Sequence, residues 1–428
     1  MVVACASLVL TVALVLTRPR LGPKFRVTPA MAAALGALMM LLARVVGPAD
    51  VAKAAHDLWR PMVAVASIMI STALAHRTGI FDRLARRFEK RTRGPVHAAF
   101  SSVFLGSALT AAAFNNDAAI LLLTPLVVPM IARLYPVRPY LVTPFAFAVF
   151  MSAGVAPLST SNPMNLVVAE RAGIGFNAYA ARMVPVSLVA AVVSFLAIRW
   201  VYRKELDDPI PARGPERGSL PELEPVGVHV LVVLAATLAA YPVLSVFDGP
   251  VWVVAICGAV VAAALCLRAR VARWSDIGKA VAWDVLVFVF FMFVVGAGLR
   301  NAGAMERLAE LYKLAPVGST LRLAVVGFSS AIGSAVLNNH PMSVLNVMTL
   351  EHVDGDIRPL LLAALVGGDL GPRLLPIGSL AGLLWLDALS REGVEIRVRD
   401  FVRIGVTVTL PALCASLAAL AAVLALGM

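Results

Sequence analysis

Charge is what this sequence has least of. Only 14% of its 428 residues are Asp, Glu, Lys or Arg, against about 25% in ordinary soluble domains, while 60% are hydrophobic. A soluble core cannot hide that much apolar surface, so a sizeable soluble domain is excluded and lipid is the expected solvent. Cysteine is also scarce. Cys5, Cys257, Cys266 and Cys414 each lie in an apolar run, with no CxxC and no Cys/His cluster, which excludes a disulfide framework and a zinc site. There is no Walker motif, no dinucleotide fingerprint and no nucleophile–base pair. The tryptophans and tyrosines give no cofactor signal. The expectation is a protein that is not an enzyme and carries no cofactor or metal.

What is present is apolar sequence in long runs. Mean hydropathy is +0.87, and about ten to twelve spans of ~20 residues fit the chain. The first run, Val2 to Leu16, has no basic residue before it and the cluster Arg18, Arg20, Lys24, Arg26 after it. It reads as an uncleaved span with its N-terminus outside. Further spans are predicted over 28–46, 58–76, 140–169 and 178–200, then over 226–246, 251–267, 283–299, 359–390 and 401–427. Two of these, 140–169 and 359–390, are too long for one regular helix and carry Pro, Ser, Asn and Gly near the middle. Two further segments, 96–131 and 318–350, are apolar with a polar tip, Asn115-Asn116-Asp117 and Asn338-Asn339-His340.

The polar, Pro- and Gly-rich stretch 202–225 reads as a linker between two halves, 1–201 and 226–428. Each half has three spans, a tipped hairpin, a broken span and a final span. Paired interruptions at corresponding positions point to a repeat-built transporter and its binding site. Loops assigned to the inside carry 24 Lys/Arg and those outside carry 7, so the net charge of +12 reports orientation rather than a nucleic-acid partner. The stretch Phe81 to Arg91 is basic and amphipathic and is expected on the inner membrane surface. The predicted fold is an all-α integral membrane protein. It is an inverted-repeat transporter with about ten transmembrane helices plus two re-entrant hairpins, or twelve spans if the hairpins cross.

Polar groups at membrane depth need partners or water and are functional candidates. Four clusters qualify: Phe114-Asn115-Asn116-Asp117, the run Ser159 to Asn165, Asn338-Asn339-His340-Pro341, and Gly367 to Arg373 followed by Pro376-Ile377-Gly378-Ser379. Amides and hydroxyls suit a small polyhydroxylated or weakly charged solute, whereas a divalent cation would call for more carboxylates. Asp117 and Asp369 are the carboxylates expected near mid-membrane, one per half, and a desolvated carboxyl suits proton uptake and release. Arg373 could instead pair with Asp369. His340 could titrate near neutral pH or simply hydrogen-bond the hairpin tip. Gly367/Gly371 and Gly378/Gly382 have GxxxG spacing but are expected to allow unwinding.

With those motifs in view, residues 363–390 (AALVGGDLGPRLLPIGSLAGLLWLDALS) resemble the C-terminal signature of bacterial arsenite permeases, the ArsB family of the ion-transporter superfamily. Trp283 to Gly303, Asn338-Asn339-His340-Pro341, Asn115-Asn116-Asp117 and Ser161-Asn162-Pro163-Met164-Asn165 occupy family-like positions. The resemblance implies efflux of arsenite and antimonite by proton antiport at the cytoplasmic (inner) membrane, with a separate arsenite-stimulated ATPase as a partner. It implies a binding region of Asn115, Asn116, Asp117, Ser161, Asn162, Asn338, Asn339, Asp369, Gly378 and Ser379. Two residues depart from the family pattern. Gly368 stands where relatives often have Cys, which excludes a thiol ligand there, and His340 stands where they often have Met. A sodium/proton antiporter or anion carrier of the same superfamily is the alternative. Asp117→Asn is expected to abolish gradient-driven transport in everted vesicles while leaving membrane insertion, read by immunoblot, unchanged.

Overall fold

In a medium without water every backbone N–H and C=O must be paired internally, and a helix does this within one segment. The computed structural model describes residues 1–17, 19, 27–80, 83, 95–114, 116–207, 225–247, 249–376 and 378–427, and among them there is helix, turn and no strand. The first half runs α1 (Val2–Thr17), α2 (Pro29–Leu42), α3 (Pro48–Arg77), α4 (Val96–Ala113), α5 (Asn116–Leu134), α6 (Val142–Ser152), α7 (Pro163–Arg171) and α8 (Phe176–Val201). The second runs α9 (Pro225–Val246), α10 (Val251–Arg268), α11 (Trp283–Asn301), α12 (Thr320–Leu337), α13 (Asn339–Leu350), α14 (Arg358–Leu370), α15 (Leu380–Arg391) and α16 (Val398–Ala425). Eight of the described helices (α3, α4, α8, α9, α10, α11, α12 and α16) are long and apolar enough to cross a membrane. The chain is an all-α, multi-pass membrane protein.

Two predicted loops are helical instead. Helix α3 begins at Pro48, ten residues before the expected 58, because Lys53, His56, Asp57 and Arg60 broke the apolar run without breaking helical backbone. The polar extension is anchored by tertiary contacts: Asp57 accepts from Arg171 at the end of α7 (2.7 Å), which also meets Glu351 beyond α13 (3.1 Å). The predicted 300–317 loop contains a helix over Ala304–Lys313 whose Met305, Ala309 and Tyr312 are buried. Most of the basic stretch 81–91 and of the 202–225 linker lies outside the described residues.

The packing repeats when the halves are exchanged. Helix α2 packs on α11 as α10 packs on α3, and α1 lies on α2 as α9 lies on α10. Hairpin one (α4–α5) packs on α6, and hairpin two (α12–α13) on α14. Each hairpin also takes the far piece of the other half's broken span: α15 lies on α5, and α7 on α13. The long helices α8 and α16 pack directly on each other. Core side chains from both halves therefore mix. One cluster joins Phe100, Phe145 and Phe147 of the first half to Trp385 and Phe401 of the second.

Small residues make these crossings close. At Gly367 an added Cβ would lie 2.9 Å from the Ala331 backbone nitrogen and would also strike the Gly327 carbonyl. At Gly371 it would lie 2.8 Å from Ala331 Cα. The Gly367/Gly371 pair thus serves helix contact between α14 and α12, although Gly371 also opens the 3-10 turn Gly371–Arg373. That corrects the expectation that the spacing serves unwinding. Ser330 Oγ donates to the Ala364 carbonyl (2.6 Å) and accepts from Asn346 Nδ2 (2.8 Å), stitching α12, α14 and α13 together. Gly367→Leu is expected to destabilise the fold by at least about 1–3 kcal/mol through overpacking, read as a lower melting temperature and loss of the monodisperse peak in detergent. Gly278→Ala, where a methyl meets nothing within 4 Å, should leave both unchanged.

Candidate functional site

Four helix starts meet at one cavity. Asn116 opens α5, Asn162 caps α7, Asn339 opens α13 and Ser379 caps α15, and all four line one small cavity. Asp369 and Arg373 also line it, and Ile120, Phe150, Ala153, Pro372 and Ala381 complete its wall. Both hairpins turn back where the two broken spans are interrupted, Asn116 meeting the Gly154 carbonyl and Asn339 the Gly378 carbonyl.

Each polar residue at these starts has a local reason to be there. A helix N-terminus leaves N–H groups unpaired, and Asn or Ser supplies a side-chain acceptor. Asn162 Oδ1 accepts from the Met164 N–H (3.0 Å), and Ser379 Oγ accepts from the Gly382 N–H (2.9 Å). Asn338 holds φ +82°, a left-handed value that a non-glycine residue adopts only under constraint. Its side chain accepts from the His340 N–H (3.3 Å), and the next N–H, of Asn339, donates to the Gly378 carbonyl (3.1 Å). Gly378 is needed for that approach, since a Cβ there would lie 2.6 Å from Pro372 Cα.

The centre of the site is Asp369. Asn162 Nδ2 donates to its Oδ1 (2.8 Å), while Asn165 Nδ2 (2.8 Å) and the Ala156 N–H (2.9 Å) donate to its Oδ2. Asn165 Nδ2 also reaches the Tyr179 hydroxyl (2.9 Å), which donates to the Ala156 carbonyl (3.1 Å). Arg373 does not close an ion pair on Asp369; its Nη1 donates to Ser194 Oγ on α8 (3.1 Å). Phe150 closes one wall and stacks on Trp385 (4.6 Å between centroids, 22° between planes).

The predicted residues divide cleanly. Asn116, Asn162, Asn339, Asp369 and Ser379 come together at the cavity. Ser161 instead ties the interruption to hairpin one by donating to the Ala112 carbonyl (2.6 Å), and Asn116 Nδ2 donates to the Gly154 carbonyl (2.8 Å). His340 stands back from the cavity, with Nδ1 2.8 Å from Asn339 Oδ1 and its ring edge-on to Phe288. Asn338 caps and Gly378 shapes the tip. Asn115 lies outside the described residues, as does the side chain of Asp117, whose backbone is in the first turn of α5. Asn165, marked as part of the Ser159 to Asn165 cluster but not among the implied binding residues, belongs to the site, and so does Tyr179, which nothing in the sequence marked.

A scan against protein families matches residues 3–424 to the arsenical pump membrane protein model. The chain belongs to that family. The arsenical pump membrane protein of Escherichia coli K12 is 32% identical over 98% of both chains, and that of Yersinia enterocolitica is 29% identical over 98% of both. Among solved structures, the Alcanivorax borkumensis YdaH transporter shares the fold, with a TM-score of 0.62 at 15% identity over 99% of this chain and 97% of its own. Family membership thus extends across both halves and both hairpins, and the relatives are named as membrane pump proteins. In this arsenical pump family member, Asn165→Leu removes the donor shared by Asp369 Oδ2 and the Tyr179 hydroxyl, leaving Oδ2 with the Ala156 N–H alone. A loss of about 1–3 kcal/mol is expected for the lost hydrogen bonds to a buried carboxyl, read as a drop in melting temperature of the purified protein.

Proposed function

We propose that this chain exports arsenite and antimonite across the bacterial inner membrane by proton-coupled antiport. The observation that carries the reading is the carboxyl of Asp369, the one carboxyl among the described residues lining a cavity made by four helix starts, in a chain whose relatives are named arsenical pumps. Arsenous acid is a small neutral trihydroxide at neutral pH. Its O–H groups can donate to the Asp369 carboxylate, and its oxygens can accept from the Asn339 amide and the Ser379 hydroxyl. A proton on Asp369 removes the acceptor that the solute uses. Substrate and proton therefore compete for one group, which is the minimum needed for exchange. Membrane potential alone cannot move a neutral solute, whereas each proton returned gains about 2.3 kcal/mol per 100 mV.

Residues 1–201 and 226–428 act in this scheme as two inverted repeats joined by the 202–225 linker. The exchange symmetry of the helix packing supports that division. Alternating access then consists of one hairpin opening the cavity to the cytoplasm and the other to the outside. Asp117, at the start of α5, is the second proton-carrying candidate, and His340 acts on the tip that Asn339 presents. A separate arsenite-stimulated ATPase would add to this cycle without replacing it.

Everted vesicles test the reading. Arsenite uptake that collapses with the pH gradient is expected from the wild type, with Asp369→Asn reducing it at least about tenfold at unchanged protein level. Sodium-dependent proton movement without metalloid transport would sink the proposal and favour the antiporter alternative.

A further inference from the structure

Arg373 is 2% exposed, and a buried guanidinium ordinarily satisfies its donors. Here only Nη1 is matched, by Ser194 Oγ, while Nε and Nη2 have no hydrogen-bond partner among the described residues. These two nitrogens are not a random pair. They form one edge of the planar guanidinium, whose parallel N–H groups match two oxygens held on one atom. The side chain lines the cavity that Asp369 lines. Nη2 lies close over Gly154, where a Cβ would come within 2.8 Å of it.

The surroundings lean the same way. Four helix N-termini at the cavity contribute positive potential. Asp369, the carboxylate lining it, already accepts three hydrogen bonds from Ala156, Asn162 and Asn165. A carboxylate has about four acceptor positions, so little acceptor capacity is left there. The unmet capacity is mostly donor capacity. A metal cation would find little to coordinate, whereas a solute rich in acceptor oxygens would satisfy what the protein leaves open.

We infer that Arg373 is a substrate-binding residue whose Nε and Nη2 grip two oxygens of a small oxyacid, while Asp369 accepts an O–H from the same molecule. This assignment rests on the arsenical reading above and deepens it. It makes the site a two-ended clamp that selects solutes carrying at least two oxygens on one central atom. It also gives Gly154 a role, because a larger residue would push the fork out of register.

The test is titration of antimonite and of arsenite onto the full chain in lipid nanodiscs, followed by calorimetry, with melting temperature measured in parallel. Arg373→Lys keeps the charge but loses the paired donors. Gly154→Ala keeps both charges and crowds Nη2. Each is expected to weaken binding at least about tenfold, as loss of charge-assisted hydrogen bonds does, and the two together keep the test readable if one variant does not fold. A lower melting temperature with an unchanged dissociation constant in a folded variant would overturn the assignment, leaving Arg373 a structural cation. Absence of saturable binding of either metalloid to the wild type would overturn the arsenical reading and this inference together.

Discussion

The structure turns on one carboxyl group in a place with little water. Asp369 belongs to the second half of the chain, and all three groups that donate to it, the Ala156 N–H, Asn162 and Asn165, belong to the first. A desolvated carboxyl without such partners would be too costly to keep. The first half must therefore break its span between Ser152 and Pro163, because only an interrupted helix can turn a backbone N–H and an N-cap asparagine toward the same acceptor. Binding the halves together and opening a helix are one requirement.

That requirement also explains the cavity. Where a span stops and restarts, its second piece begins with unpaired N–H groups, and a hairpin tip brings another helix start alongside. Two broken spans and two hairpins give four such starts in one volume. The long partners α8 and α16 can flank it because small residues permit close crossings; at Gly405 of α16 the Arg373 backbone passes where a side chain would stand. Trp385 and Phe401 of the second half close over Phe147 and Phe150 of the first on the cavity's apolar side. Polar groups converge on one side of Phe150 and aromatic rings on the other.

Much of this was legible in the chain. Pro, Gly, Asn and Ser inside apolar runs marked 140–169 and 359–390 as broken, and Asn115-Asn116-Asp117 and Asn338-Asn339-His340 marked the tips, because such residues have no other reason to sit at membrane depth. What failed was anything that hydropathy misreads. The start of α3 carries Lys53, His56, Asp57 and Arg60 and was read as loop, although charge near a membrane surface does not oppose helical backbone. Ala304–Lys313 is amphipathic and was read as loop for the same reason. Arg373 was visible only as a neighbour of Asp369 four residues away; that it turns instead to Ser194 depends on where α8 passes.

The sequence by itself determined the medium, the order of spans, the two interruptions and the polar residues that mark them, since each follows from local composition and the cost of exposing polar groups to lipid. It could not determine whether the hairpins cross or turn back, because both arrangements leave every charged loop on the same side. Nor could it say which marked residues meet. The tertiary structure decided that: the tips end at the interruptions, and Asn116, Asn162, Asn339, Asp369 and Ser379 share a cavity while His340 and Ser161 brace it. Charge counts record sides of a membrane, but contact between residues more than 200 positions apart depends on how helices cross.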